Sequence, residues 1–396
     1  MNEPIYYKHL LESLNRQFTI EAKGHLDHPE DLVFLQDVSG AKRAIDSMLA
    51  TAKNPKAITI KWDGYPALLF GTGLDKKFTV LDKHMMNKVD GSGRRIYSPE
   101  QFAQYDAARG VERHELNQVI NSIWPGLQKS YSGAGWYWGD LIFSQPLEPQ
   151  KDGLYHFKAN PNGIAYTVDP NSEVGKLITG KQAGIAVHGY LDPDAPEKAA
   201  QMSRPGEIVY PTDLVKPLNG TIGSLKNNSN VAIVPSAMPI TPEVKIDKNL
   251  LTKAQSSLAK YSKDISKLMT TAPQARNTFN QLFTTYINNK IASGNLSNLS
   301  DDFMNYVENR PMTDSMKKKI ADHLNANKNG IVGLFTIWAA LYQLKMTVVD
   351  QLNQASESSP VKGYLDSGQQ SQEGFVSQGL KFIDRLGFSR QNLAGR

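Results

Sequence analysis

The feature that most constrains the fold is a change of hydrophobic period partway along the chain. Up to about residue 240, apolar residues fall in short runs separated by turn signals such as Gly71-Thr72-Gly73 and Asn160-Pro161-Asn162-Gly163, a pattern of strands. From Asp247 to about Ala355 they recur at helical spacing. Leu250, Leu251, Leu258, Tyr261, Ile265 and Leu268 form one such set, and Phe279, Leu282, Phe283, Tyr286 and Ile287 another. Phe303 to Leu324 and Ile331 to Leu352 continue the pattern. Strand character returns near the end, where two apolar runs flank Ser377-Gln378-Gly379 as in a tight hairpin. A chain of 396 residues has room for two or three domains. The expected fold is α+β, an antiparallel-sheet domain with an all-α domain inserted before the last strands. The expected boundaries are 1–240, 241–358 and 359–396.

Composition removes several classes of function. With no cysteine, disulfide scaffolds, thiolate zinc, iron–sulfur clusters and catalytic thiols are excluded. The longest apolar run, Ile331 to Leu344, is short of the roughly 20 residues a membrane span needs and reads as a buried helix. Residues 3–16 read as a short amphipathic helix without the basic start and apolar core of a secretory signal, so a cytoplasmic protein with no membrane partner is expected. His25 and His28 form a weak metal-pair signal with no third ligand nearby. A net charge of +5 suits a polyanionic partner. Lys253, Lys260, Lys263, Lys267, Lys317, Lys318 and Lys319 of the helical region could follow a nucleic acid backbone, although solvated helix faces also carry such residues.

One stretch carries a candidate chemistry. In Ile58-Thr59-Ile60-Lys61-Trp62-Asp63-Gly64-Tyr65-Pro66-Ala67-Leu68-Leu69-Phe70-Gly71, a Gly-Tyr-Pro turn separates two strand-like runs and leaves Lys61 at a strand end. A partly desolvated ammonium loses proton affinity and becomes a nucleophile near neutral pH. The strand Lys77 to Lys83 is expected to pair with Ala67 to Phe70, and it runs into the basic residues Lys83, His84, Lys88, Arg94 and Arg95. An aromatic strand, Gly135 to Phe143, carries Asp140.

Lys61-x-Asp63-Gly64 before an apolar strand resembles the nucleotidyl-transfer motif of the covalent nucleotidyltransferases: ATP-dependent DNA and RNA ligases and capping enzymes. The resemblance implies that Lys61 attacks the α-phosphate of ATP, with Ile60, Trp62, Asp63 and Gly64 around the nucleotide and Lys83 as a further contact. Gly139-Asp140 is similar to the family's Gly-Glu pair, which implies a ribose contact from Asp140. Tyr166 and Tyr190 are the candidates to stack on the base, with Tyr190 taken for the site. Glu373-Gly374-Phe375-Val376 resembles the motif whose acid binds Mg2+, and Leu380-Lys381-Phe382 resembles the closing motif, with Lys381 on the triphosphate and Arg385 in place of a second lysine. Glu207 with Lys216 offers a rival placement of these last two motifs. Tyr65-Pro66 stands where many members carry an arginine. The chain runs 15 residues past Lys381, too few for the barrel domain of DNA ligases and capping enzymes, which favours RNA over DNA ends as partner. The closest resemblance is to divergent RNA-ligase-like proteins of large tailed bacteriophages, which implies the host cytoplasm. Two alternatives stay open: a non-catalytic protein on a degenerate nucleotidyltransferase fold, binding nucleic acid or mediating assembly, and a guanylyltransferase.

Overall fold

The structure, a computed structural model, describes residues 26–82, 85, 96–108, 110–159, 164–202, 214–218, 220–273, 276–365 and 374–387. Helix and largely antiparallel sheet are mixed, so the chain is α+β. It begins with helix α1 (Leu32–Lys53), then strands β1 (Thr59–Ile60), β2 (Ala67–Thr72) and β3 (Phe78–Asp82). Helices α2 (Pro99–Ala108) and α3 (His114–Ser130) lead to β4 (Gly135–Phe143), β5 (Tyr155–Lys158) and β6 (Ile164–Val168). Next come α4 (Glu173–Ile178), β7 (Ala183–Leu191), α5 (Ala195–Met202), β8 (Lys216–Pro217) and β9 (Val231–Pro235). Five helices follow: α6 (Lys248–Thr270), α7 (Arg276–Ala292), α8 (Leu299–Glu308), α9 (Asp314–Ala326) and α10 (Lys328–Ser356). The described chain closes with β10 (Val361–Leu365), β11 (Phe375–Ser377) and β12 (Leu380–Phe382).

The chain divides into two compact units: among the described residues, one takes Leu26 and Trp62–Ser236, and the other takes Asp27–Lys61 and the chain from Ala237. Helix α1 and β1 therefore belong with the helices, as do β11 and β12. The points where Trp62–Ser236 leaves and rejoins the helical unit are neighbours, since Thr59 bridges Ala237 and the Met238 N–H donates to the Ile58 carbonyl at 3.2 Å. In connectivity, the sheet-rich segment is set into the helical unit.

In the sheet unit the strands run in the order β3-β2-β4-β7-β8, with β9 beside β7 as the parallel partner. The expected pairing of β2 with β3 is present, from Leu68 opposite Asp82 to Thr72 opposite Phe78. Both faces of β2 are buried, which is why Leu68, Leu69 and Phe70 read as a continuous apolar run rather than an alternating one. Behind β3, Arg113 forms ion pairs with the buried carboxylates of Asp82 and Asp106, tying α2 and α3 to the sheet edge.

In the helical unit, α10 is long and apolar enough by length and composition to cross a membrane, yet it is mostly buried. Phe34, Phe283, Phe303, Phe335 and Trp338 form a ring-packed centre, and Phe375, Leu380 and Phe382 of the terminal hairpin join the same core. Helix α1 is interrupted near its start. Asp37 breaks the helix at φ 52° and ψ −134°, and its carboxylate accepts the Ser39 N–H at 3.3 Å.

This core also holds charge. Lys345 and Glu30, both 0% exposed, pair at 2.7 Å. Arg385 bonds both Asp31 oxygens at 2.9 Å and reaches Glu30 at 3.3 Å, while the Trp338 indole N–H donates to Asp31 at 2.9 Å. Burial draws the Lys345 pKa below the ordinary lysine value, against the attraction of Glu30. Burial, with Arg385, Lys345 and Lys381 nearby, holds His28 well below the usual imidazole value of 6.5. Above pH 6.5 this histidine is neutral folded and unfolded. Below it, the unfolded chain takes up a proton that the native state refuses, so stability falls by up to about 1.4 kcal/mol per pH unit until the folded pKa is reached. Burial raises Asp27, which acts in the opposite sense at the more acidic end. Urea midpoints measured from pH 7.5 downward are expected to fall in the wild type and to fall less in His28→Gln.

Candidate functional site

The stretch around Lys61 contributes to both units, and each half is built separately. In the helical unit, Ile58 and Ile60 are both 1% exposed, Ile58 within the helical core, so alternation turns Thr59 and Lys61 to the opposite face. The strand pairs antiparallel with β11, Thr59 opposite Val376 and Ile60 opposite Phe375. The Lys61 N–H extends this ladder by donating to the Gly374 carbonyl at 2.9 Å. Strand β11 turns through Gln378 and Gly379, both with positive φ (53° and 70°), and returns as β12 with Val376 opposite Lys381. Such a two-residue turn matches the twist of the strands it joins.

Opposed residues in a sheet share a face, so Thr59, Val376 and Lys381 form one row, and Lys61 occupies the next position along that face. All four are half-buried, while Ile60, Phe375 and Phe382 on the other side are buried. Strand spacing sets β1 and β12 about 10 Å apart, a gap that two lysine side chains can close on one chain of phosphates. The far edge of the hairpin is fixed where the Lys381 N–H donates to the Asp27 carbonyl at 2.9 Å.

In the sheet unit, the residues after Lys61 are laced onto β4. Trp62, 2% exposed, packs against Phe157 and Tyr166 with ring centroids at 6.4 and 4.8 Å. The Asp63 N–H donates to the Tyr166 hydroxyl at 2.6 Å, and the Asp63 carboxylate accepts the Ile164 N–H at 3.3 Å. The Tyr65 N–H donates to the Leu141 carbonyl at 2.8 Å, and Ala67 lies opposite Asp140. Gly64 therefore sits on Asp140: a Cβ there would lie 2.5 Å from the Asp140 Cβ and 2.8 Å from the Leu141 carbonyl oxygen. Backbone cannot yield as a flexible side chain can. Gly64→Ala is expected to cost about 1–3 kcal/mol as overpacking, read as a lowered denaturation midpoint, with the Asp140 resonance displaced in a carboxyl NMR spectrum.

Asp140 has a partner that sequence reasoning missed. His188 Nε2 lies 3.1 Å from its Oδ2, and His188 Nδ1 lies 3.0 Å from the Ser236 Oγ. The Ser236 hydroxyl also donates to the Val187 carbonyl. The ring is held between the two groups, with Nδ1 at Ser236 and Nε2 aimed at the carboxylate. The only sequence signal was a histidine within a strand otherwise made of apolar and small residues. The register of β7 against β4, shifted by a bulge between Trp138 and Gly139, is what aligns it with Asp140.

Other expected site residues have other surroundings. Ile60 and Trp62 are buried, so only their backbone can face a ligand. The Tyr190 hydroxyl donates to the Ala134 carbonyl at 2.8 Å and its ring meets Tyr137 edge-on, while Tyr166 is 1% exposed within the Trp62 cluster. The Arg385 guanidinium, expected on a triphosphate, is engaged by Asp31, Glu30 and Asn288 inside the helical unit. Lys216 of the rival placement pairs with Asp192 at 2.6 Å. Lys83, His84, Lys88, Arg94, Arg95, Glu207, Glu373, His25 and the helix expected at 3–16 lie outside the described residues.

The two same-face lysines suit a phosphate chain. Among the described residues no three His, Asp or Glu side chains gather as a metal cluster. Magnesium on a nucleotide does not require one, because it binds through one or two carboxylates together with phosphate oxygens and water. Glu373, the acid expected on Mg2+, and Glu207 of the rival placement are not among the described residues. No curated protein and no solved structure matches the chain. Residues 23–396 match DUF6267, a family of unknown function, and the chain belongs to that family.

Proposed function

We propose that this protein is an ATP-dependent polynucleotide ligase that works through a lysyl-AMP intermediate and acts on RNA ends in preference to DNA. The observation that carries the reading is the β1–β11–β12 ladder, because it sets Lys61 and Lys381, 320 positions apart in sequence, on one face of one small sheet. In the first step the neutral Lys61 amine attacks the α-phosphorus; a P–N bond forms, the bond to the β-phosphate oxygen breaks, and pyrophosphate leaves. Lys381 holds the phosphates and offsets charge on the leaving group. Bound Mg2+ would neutralise phosphoryl oxygens and orient the leaving group. A 5′-phosphate oxygen then attacks the same phosphorus, the P–N bond breaks, and the Lys61 amine is restored. Attack of a 3′-hydroxyl on the activated 5′-phosphate releases AMP and seals the strand.

The test is incubation with magnesium and α-labelled ATP, followed by a search for acid-labile, alkali-stable label that maps to Lys61. Label from GTP alone supports a guanylyltransferase. The engagement of Arg385 by Asp31 and Glu30 favours a second reading, a non-catalytic protein that binds polynucleotide. No label from either nucleotide with any divalent metal would establish that reading over the first.

A further inference from the structure

Helix α6 carries five lysines and a single acid, Asp264, in its 23 residues. Four of the lysines are not scattered around it. At about 100° per residue, Lys253, Lys260, Lys263 and Lys267 fall within an arc of about 80°, and at 1.5 Å per residue they span about 21 Å of axis. All four are exposed, while Ala254, Ile265, Leu268 and Met269 on the opposite side are buried. The residues interleaved on the same stripe, Asn249 and Ser256, are exposed and uncharged.

These charges are also uncompensated. Lys253 donates to the neutral Gln343 amide oxygen at 3.1 Å, and Lys260 lies over the Tyr261 ring at 4.7 Å. Among the described residues, no ion pair joins any of the four to an acid, whereas Lys176, Lys198, Lys245 and Lys290 all have carboxylate partners. Helix surfaces ordinarily relieve lysine repulsion with acids three or four positions away. Asp264, the acid at that spacing from Lys260 and Lys267, is half-buried at the edge of the stripe.

We infer that this stripe is a docking surface for the backbone of a polynucleotide, bound without regard to sequence. A straight row of cations about 21 Å long is matched by a linear polyanion, and a single small anion would engage one or two of its members. A membrane-surface helix needs large apolar residues beside its cations, and among the described residues none of the exposed large apolar side chains lies on α6. The inference goes beyond lysyl transfer, because docking here needs neither ATP nor Lys61.

The experiment compares wild type with K253Q/K260Q/K263Q/K267Q, a change that preserves helix propensity. Binding of a fluorescent single-stranded RNA of about 20 nucleotides is followed by anisotropy from 50 to 300 mM salt. Loss of four phosphate contacts is expected to lower the slope of log K against log salt by about 2.8, and affinity at the lowest salt by at least about 100-fold. Binding is measured without ATP or divalent metal, so failure of the transfer reading and failure of this one are told apart. Any of the following outcomes would overturn the proposal. One is no binding by the wild type. Another is an unchanged slope in the quadruple variant, or an equal loss from Lys317→Gln, Lys318→Gln and Lys319→Gln on α9. The last is binding to phosphatidylserine vesicles that depends on the stripe while RNA binding does not.

Discussion

Lys61→Arg is expected to accept no label from α-labelled ATP, a loss of at least about 10⁴-fold, while the protein unfolds within about 0.5 kcal/mol of wild type. Arginine keeps the positive charge and the length of the side chain, so any merely electrostatic role of Lys61 survives. It cannot act as the nucleophile, because a guanidinium does not give up its proton in a protein. Fold should survive as well. The side chain is on the half-buried face of β1, and the bond to Gly374 is made by the backbone N–H, which substitution leaves intact. Lys381→Ala should retain label on Lys61 while slowing its appearance by roughly 10- to 100-fold, as expected for a charge that assists the leaving group. Equal label on wild type and Lys61→Arg would sink the assignment of the nucleophile.

Glu30→Ala is expected to destabilise the protein by about 3–5 kcal/mol, the largest stability effect of any single change considered. The carboxylate has 0% exposure and is shared by Lys345, also at 0%, and by Arg385. Without it, two cations are left in the core with Asp31 as the remaining acid. Removing one member of a buried pair exposes the desolvation cost of the other, which is much larger than the net contribution of the pair itself. The matched control is Glu30→Met with Lys345→Met, which removes both charges, keeps the volume and leaves Arg385 with Asp31. That double variant should lie within about 1–2 kcal/mol of wild type in urea unfolding. If Glu30→Ala also stays within about 1 kcal/mol, the network is hydrated and the account of it is wrong.

How much of this was legible in the sequence depends on how far each partner lies along the chain. Strands β2, β3 and β4 could be read because their apolar runs and the turn signals between them are local, and the pairing of Ala67–Thr72 with Phe78–Asp82 needs only one tight reversal. Lys61 at a strand end was legible for the same reason. That Ile58 joins the helical core was not, because a short apolar run reads the same whatever covers it. Nor was the Glu30–Lys345 pair, 315 residues apart, since nothing near either residue marks it as buried. Arg385 looked like a phosphate ligand because its position in a motif was visible and its neighbours Asp31 and Asn288 were not. His188 was overlooked because its role depends on the strand register across a bulge.

The ladder on β1 has a consequence for the timing of synthesis. Trp62–Ser236 forms one compact unit with its own core, and its residues have all been translated before any of α6 to α10 is made. Strand β1, in contrast, meets Ala237 through the Thr59 bridge but lacks its ladder partner until Phe375–Ser377 is translated, more than 300 residues after Lys61. The nascent chain therefore carries an unpaired strand edge beside its candidate nucleophile through most of elongation, and the pair of lysines comes into being only with the last strands.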